Sequence, residues 1–376
     1  MPNFIPYLMS SRRNFIHKSL QLGAITGMAS ILPGYHFNTT AAMTSKAKFD
    51  KVTLPANFGL GGVAIGNGFR PTTDEQAQLA LEGAWEAGVR FFDTSPWYGL
   101  GLSERRFGRF LHNQKREDYI LATKVGRLLK AARQAPGNNS WKEASPFDYE
   151  YDYSAAGVRR SVEDSLQRLG ISSIDIVFIH DLSPDNGDMK DNWMDYFKVA
   201  AKGAMPELTK MREEGLIKGW GLGVNRIEPI LETLKVADPD VCLSATQYSL
   251  MYHEDALERL FPACAEKGVD IVVGAPLNAG FLAGIDRYNY WGEMPEGFKE
   301  KRRQMTEIAK RNGIDLISAA LQFSAAPSVV SAVIPGTRYP DQAKANVAAM
   351  QVKIPQAFWE ELVAKKLISD KAPWPA

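Results

Sequence analysis

The chain has 376 residues, 45% hydrophobic, 10% aromatic and 23% charged, with a formal net charge of +1. That length holds one large domain or two ordinary ones, and the aromatic content argues against a disordered chain. A nearly balanced charge gives no field favouring nucleic acid or acidic membranes, and Cys242 and Cys264 lack C-x-x-C spacing, so they read as buried thiols with no metal site expected.

In chain order, the first feature is Ser11-Arg12-Arg13-Asn14-Phe15-Ile16-His17-Lys18, followed by a weakly apolar stretch from Ser19 to Leu32. The stretch is too short and too mild for a stable membrane span. A charged start, a modest apolar run and a Thr/Ala-rich segment resemble a twin-arginine export signal, with cleavage expected near Ala41-Ala42. The resemblance implies the twin-arginine export machinery as a partner and a periplasmic or otherwise exported address. A chance Arg-Arg pair in an ordinary cytoplasmic tail is the alternative. Residues 1–45 are therefore set apart as signal and linker, and residues 46–376 are read as one domain.

From Phe58 onward, short apolar runs alternate with longer helical patterns. Strands are expected at 58–65, 89–93, 119–124, 174–180, 217–224, 241–247, 269–274 and 329–334. Helices are expected at 74–87, 103–111, 154–169, 205–214, 229–236, 254–267, 297–312, 316–323 and 340–350, the last being the final full helix. Gly215, Gly268 and Gly313 stand where helices should stop. Three long loops are expected, at 128–151, 183–199 and 278–298. Strands alternating with helices imply a parallel sheet covered by helices, and near-continuous apolar strands imply burial on both faces. About eight such units suit an α/β fold of the (β/α)8 TIM barrel type. The rival, an open dinucleotide-binding sheet, calls for a GxGxxG turn after the first strand; Gly59-Leu60-Gly61-Gly62 lacks that spacing.

Barrel enzymes place their chemistry at the C-terminal ends of strands. Here those ends carry Asp93, Lys124, His180, Asn225 and Gln247. Asp93, Tyr98, Lys124 and His180 form a proton-transfer set suited to carbonyl chemistry. An unaided tyrosine is a reluctant acid and a scarce base at neutral pH, so a neighbouring Lys124 ammonium is expected to lower its pKa. Asp93 would hold that ammonium in place, and His180 would orient the substrate oxygen.

Phe92-Asp93-Thr94-Ser95-Pro96-Trp97-Tyr98-Gly99, followed by Ser103-Glu104, resembles the aldo-keto reductase signature. Leu121-Ala122-Thr123-Lys124 and Phe178-Ile179-His180 are similar to that family's lysine and histidine strands, and the resemblance extends from Phe58 to Asn346. It implies hydride transfer between NAD or NADP and a sugar or carbonyl, with catalytic residues Asp93, Tyr98, Lys124 and His180. It also implies a cofactor lying across the barrel mouth. Gly62, Val63, Asp93, Asn225, Gln247, Pro276, Leu277, Asn278 and Gly280 would hold its nicotinamide and pyrophosphate. Thr337, Arg338, Gln342 and Asn346 would hold its adenosine end. Gly274 stands where many members carry a stacking tyrosine, and Gly336, Gln342 and Ala345 replace residues that often meet a 2′-phosphate. Arg338 and Lys344 remain as phosphate candidates, so NAD is slightly favoured over NADP.

The stretches Tyr153-Ser154, Val158 to Gly170, Gly221 to Asn225, Pro276 to Gly280, Tyr288-Asn289-Tyr290 and Ala319 to Phe323 are similar to the bacterial aldose 1-dehydrogenase branch, which includes threo-aldose, L-fucose and galactose dehydrogenases. That similarity implies oxidation of an aldose at C1 to the lactone. The alternatives are a carbonyl (aldehyde) reductase or pyridoxal-type dehydrogenase, and a non-catalytic cofactor-binding regulatory subunit. The aromatic-rich loops are expected to shape the pocket, with Trp97, His180, Asp181, Tyr252, Tyr288 and Trp291 as substrate candidates.

Overall fold

A computed structural model describes residues 53–54, 56–137, 140–290 and 293–375. The expected export segment, residues 1–45, lies outside the described residues, as does Trp291.

Eight parallel strands run in the order β1 (Leu60–Gly61), β2 (Phe91–Asp93), β3 (Ile120–Val125), β6 (Ile176–His180), β7 (Gly219–Val224), β8 (Val241–Ala245), β9 (Asp270–Gly274) and β10 (Val330–Ile334). The sheet closes on itself. Phe58 and Gly61 bridge in parallel to Val333 and Gly336, and Gly59 N donates to Val333 O at 2.9 Å. The expected (β/α)8 barrel is therefore the fold. Its interior is filled by a small set of apolar side chains, among them Phe91, Ile176, Phe178, Leu243, Val272 and Ile334. A larger apolar layer lies between the strands and the helices outside them.

The helices begin and end where local chemistry sets them. In α1 (Asp74–Glu86), the Thr73 side chain accepts from Gln76 N while the Gln76 side chain accepts from Thr73 N, satisfying two otherwise orphaned donors. In α3 (Ala155–Leu169), Ser154 caps the N-terminus through Gly157 N, and Gly170 ends the helix in the left-handed conformation at φ 65°. The outer layer also includes α2 (Leu102–Leu111), α5 (Ala204–Glu213), α6 (Glu228–Val236), α7 (Phe261–Lys267), α8 (Phe298–Arg311), α9 (Leu316–Ala325) and α10 (Pro340–Ala349). The helix expected at 254–267 is interrupted by a wide π-type turn, Ala256–Leu260, ahead of Pro262, whose ring nitrogen has no N–H to give to the preceding turn.

Five elements depart from the sequence expectation. The loop expected at 128–151 contains an antiparallel hairpin, β4 (Arg127–Ala131) paired with β5 (Phe147–Tyr151). The loop expected at 183–199 contains most of α4 (Trp193–Lys202). A further helix, α11 (Gln356–Ala364), follows α10 and buries Phe358, Trp359 and Leu362. The first strand, expected over 58–65, is short because Gly62 begins a turn: Gly66 N bonds back to Gly62 O at 3.0 Å.

At the N-terminal ends of the strands, a buried aspartate and a partly buried one tie neighbouring strands together. Asp175 accepts from Leu121 N at 2.8 Å and pairs with Arg116 and with Lys218, the latter at 2.7 Å. Asp240 accepts from Trp220 N at 3.0 Å and pairs with Arg212 at 2.8 Å. Among the described residues, no helix is long and apolar enough to cross a membrane.

Candidate active site

Adjacent strands β2, β3 and β6 deliver three of the four expected catalytic side chains to the same end of the barrel. Lys124 Nζ lies 2.8 Å and 2.7 Å from the Asp93 oxygens and 2.8 Å from Thr94 O. Those three bonds use every donor of an ammonium, so the pair is ionic. Both residues are only 1% exposed. Burial pushes the Lys124 pKa down and the Asp93 pKa up, and each partner's charge opposes that push.

Tyr98 sits on the loop after β2 and is buried. Lys124 Nζ stands 4.5 Å from the centre of its ring, the His180 ring 5.7 Å away edge-on, and the Trp141 ring 5.5 Å away. Burial, and then the Asp93 charge, hold the Tyr98 hydroxyl well above the usual tyrosine range. This corrects the expectation that Lys124 lowers it. The ammonium has no donor left for the phenol, and its charge is matched at 2.7 Å by Asp93. In this arrangement Tyr98 is a fully protonated phenol at neutral pH, and so a proton donor.

His180 ends β6. Its pKa is held well below the usual value, first by burial and then by the Lys124 and Arg127 charges, so the ring is neutral. Its Nδ1 lies 3.0 Å from Ser95 Oγ, and that oxygen already accepts from Trp97 N at 3.1 Å. The Ser95 hydroxyl proton needs an acceptor, and Nδ1 supplies one. The network thus assigns the ring proton to Nε2, the nitrogen left to donate to a substrate oxygen. Tyr153 OH donates to His180 O at 2.8 Å and fixes the strand end.

Behind these residues a buried scaffold holds the loop after β2. Thr94 Oγ1 donates to Ser103 Oγ at 2.8 Å, and Ser103 Oγ donates to Gly62 O at 3.1 Å. Glu104 accepts from Thr123 Oγ1 at 2.7 Å and pairs with Arg168 at 2.5 Å. A Cβ on Gly62 would lie 2.7 Å from Asp93 O, so this close approach requires glycine.

Asp93, Tyr98, Lys124 and His180 face a cavity of about 890 Å³, within the range of small-molecule sites. Trp97 and Asp181 share its wall. Of the expected cofactor residues, Val63, Asp93, Asn225, Pro276, Leu277, Gly280, Thr337, Arg338, Gln342 and Asn346 line it. Gly62 packs behind the wall. Gln247 donates to Asn225 O at 2.7 Å and Asn278 to Asn289 Oδ1 at 2.9 Å, and neither lines the cavity. Nor do two of the expected substrate residues. The Tyr252 hydroxyl bonds Asp255, and Tyr288 packs edge-on between Phe281 and Phe298.

The two phosphate candidates are engaged elsewhere. Arg338 donates to Arg70 O, Pro71 O, Thr72 Oγ1 and Gly68 O, pinning the loop after β1. Lys344 pairs with Glu86 on α1 at 2.8 Å, at the surface. Cations that the sequence did not single out take their place at the cavity. Arg70 and Arg287 line it, and among the described residues neither pairs with a carboxylate. Arg287 Nε is buried without a protein acceptor, and burial and then the Arg70 charge lower its pKa. Two uncompensated guanidiniums fit a dinucleotide's pyrophosphate. Phe69 lies between Arg287, 3.7 Å from its ring centre, and Tyr290, stacked at 6.4 Å, so the loops after β1 and β9 meet over the cavity. Arg127 was also missed, and it lines the cavity beside His180 and Asp181. Its one sequence signal was its place three residues beyond Lys124, just past a strand end.

The sequence profile of the aldo/keto reductase family matches residues 57–366. The chain is 34% identical over 327 residues to a D-threo-aldose 1-dehydrogenase from Pseudomonas sp, covering 84% of this chain and 95% of the relative. It is 33% identical over 327 residues to a pyridoxal 4-dehydrogenase from Microbacterium luteolum, covering 83% and 94%. Among solved structures, the holo form of an aldo-keto reductase from Bacillus halodurans superposes with a TM-score of 0.62 at 26% identity, covering 85% of this chain and 97% of that one. With its closed barrel and these matches, the chain belongs to the aldo/keto reductase family and is an NAD(P)-dependent oxidoreductase.

Proposed function

We propose that the enzyme oxidises an aldose at C1 to the lactone, with Tyr98 as general acid and base. The observation that carries this reading is one cavity in which Tyr98, neutral His180 and the Asp93–Lys124 pair stand beside a wall of Trp97, Arg127 and Asp181. Aromatic faces and paired polar groups suit a hydroxylated ring. A D-threo-aldose 1-dehydrogenase among the relatives supports the same substrate class.

The bound dinucleotide supplies a hydride acceptor or donor at carbon. The chain's own residues handle oxygen and its proton. His180 Nε2–H donates to the substrate oxygen and orients it. In reduction, Tyr98 gives its proton to that oxygen as negative charge develops; in oxidation, Tyr98 must first lose the proton that burial holds on it, and the phenolate then takes the hydroxyl proton. Lys124, fixed by Asp93, lies over the Tyr98 ring and holds it against His180. Arg70 and Arg287 would meet the pyrophosphate, and Thr337, Gln342 and Asn346 the adenosine end. With Arg338 and Lys344 committed to protein partners, NAD is favoured over NADP.

A panel of aldoses and aldehydes with NAD and with NADP, followed at the reduced-cofactor absorbance, tests the reading. Aldose turnover that is faster with NAD is expected. Turnover only of aldehydes with reduced cofactor would favour a carbonyl reductase or a pyridoxal-type enzyme, a reading to which the pyridoxal 4-dehydrogenase relative lends support. Tyr98→Phe is expected to lower kcat by about a hundred- to ten-thousandfold while the dinucleotide still binds. Full activity in that variant overturns the mechanism.

A further inference from the structure

The wall beside His180 contains a charged pair that the proton chemistry does not use. Arg127 is 5% exposed, and its Nη1 donates to Asp181 Oδ2 at 2.8 Å while its Nε donates to Tyr151 OH at 3.1 Å. Its guanidinium carbon lies 4.5 Å from the centre of the Trp97 ring and 4.9 Å from that of Tyr151. Rings and acceptors together hold the fork rigid. Two of its five N–H groups are spent on these bonds, and Nη2 donates to no protein acceptor among the described hydrogen bonds.

Asp181 follows His180 directly and takes a left-handed backbone conformation at φ 47°, rare for a residue with a Cβ. Its backbone N–H donates to Gly223 O at 3.0 Å, and Asn186 Nδ2 donates to its carbonyl at 2.9 Å, so neighbouring elements impose the conformation. Imposed strain of this kind marks sites where a side chain must be aimed. The aimed carboxylate puts one oxygen on Arg127 and the other 3.5 Å from His180 Nε2. Arg127 and Asp181 both face the cavity.

We propose that the Arg127–Asp181 pair is the clamp that selects the substrate, gripping neighbouring hydroxyls of a neutral polyhydroxylated ring and setting its C1 against Tyr98 and His180. The inference rests on the aldose reading above. An arginine in a cavity ordinarily suggests an anionic substrate, but this one is already neutralised. Asp185 and Asp188 also line the cavity, and Asp188 bonds the same Tyr151 hydroxyl that Arg127 meets, so this pair has no spare cation for a carboxylate or phosphate on the substrate. A fixed N–H donor beside a fixed carboxylate acceptor instead matches the donor-and-acceptor character of adjacent hydroxyl groups. A site built to bond hydroxyls rejects an analogue lacking them, because its own buried polar groups are then left unpaired. Trp97, which stacks on the guanidinium and lines the same wall, offers the apolar surface for the ring's C–H face.

The test compares full-length wild type with Asp181→Asn and Arg127→Lys. Substrates are an aldose that the wild type oxidises, its 2-deoxy and 3-deoxy analogues, and a hydroxyl-free aliphatic aldehyde assayed in reduction. Dinucleotide affinity is followed by fluorescence as the check on folding. Hydrogen bonds to charged groups predict a loss in kcat/KM of about ten- to a hundredfold on the aldose, mostly in KM. The loss on the aldehyde is expected to be at least about tenfold smaller, since there is no hydroxyl to hold. On the deoxy analogue missing the gripped hydroxyl, wild type and variant converge. Equal losses on aldose and aldehyde, or no loss on either, overturn the clamp while leaving the aldose reading intact. A wild type that oxidises no aldose overturns that reading, and the clamp with it.

Discussion

The barrel carries buried ion pairs at both ends of its strands, and the two sets do different work. At the N-terminal ends, Asp175 and Asp240 each accept a backbone N–H from the neighbouring strand, and their cations reach in from the surface; Lys218 is 59% exposed. These pairs stitch strand to strand and face no cavity. At the C-terminal ends, Lys124–Asp93 is fully buried, Arg127 is buried beside a partly exposed Asp181, and all four residues line the cavity. There the cations lie over the rings of Tyr98 and Trp97, which line the cavity, whereas Arg116 at the other end lies over Tyr119, which does not. The same residue types at strand ends therefore become structural ties or chemical groups according to what the loops beyond them enclose. The rule that barrel chemistry sits at the C-terminal face holds here for a physical reason: that end keeps its charges desolvated beside an open volume.

The sharpest way to break the comparison is to remove one partner at each end. Lys124→Met strands the buried Asp93 carboxylate and should cost about 3–5 kcal/mol in chemical denaturation, together with nearly all turnover. Adding Asp93→Asn should return most of that stability, because the uncompensated charge is gone, but none of the activity. Recovery of activity in the double variant would show that the pair is a structural tie like those at the other end. Asp175→Ala should cost somewhat less, about 2–3 kcal/mol, since Arg116 and Lys218 can reach water while Leu121 N–H loses its acceptor. Its kcat and KM should match wild type; a substantial kcat change there would erase the distinction between the two ends.

The smallest expected effect is an absence. His180 is held neutral well below the usual histidine pKa, and Tyr98 is held protonated well above the usual tyrosine value. Lowering pH through the ordinary histidine range therefore leaves His180 uncharged, and raising it toward the ordinary tyrosine range leaves Tyr98 able to donate. The kcat/KM for aldehyde reduction should be flat from about pH 6 to pH 9. A break near pH 6.5 that disappears in His180→Gln would mean the ring gains solvent or a counter-charge in the working enzyme.

Much of this site was legible in the chain because its residues interrupt strong patterns. Asp93, Lys124 and His180 each end a largely apolar run, and the parallel register sets Asp93 against Ala122 and Lys124 against Phe178, so the three step round the barrel mouth two residues at a time. Tyr98 followed from its spacing to Asp93. Elements outside the repeat were harder to read. In α4 only Phe197 and Ala200 are buried, too little to mark a helix against its charged and aromatic neighbours. In β5 Phe147, Tyr149 and Tyr151 do alternate with Asp148 and Glu150, but none of them is fully buried and the strand pairs only with β4, outside the barrel repeat. The signal for α11 was present, since Phe358, Trp359 and Leu362 recur at helical spacing, but it lay beyond the last expected repeat.

The (β/α)8 barrel and Asp93, Lys124 and His180 at its mouth were legible from strand periodicity and strand-end position, local properties that survive without tertiary detail, and Tyr98 from its spacing to Asp93 in the family signature. Tertiary structure decided the charges. Arg338 looked like a phosphate ligand until the loop after β1 was seen to consume its donors, and Lys124 looked like the group that lowers the Tyr98 pKa until Asp93 and Thr94 were seen to use its own. Arg127 drew no reading from the sequence, and only the hairpin brings it among Trp97, Tyr151 and Asp181. A cation's role depends on which acceptors and rings lie within a few ångströms and on how much water remains, and those neighbours come from parts of the chain dozens or hundreds of residues away.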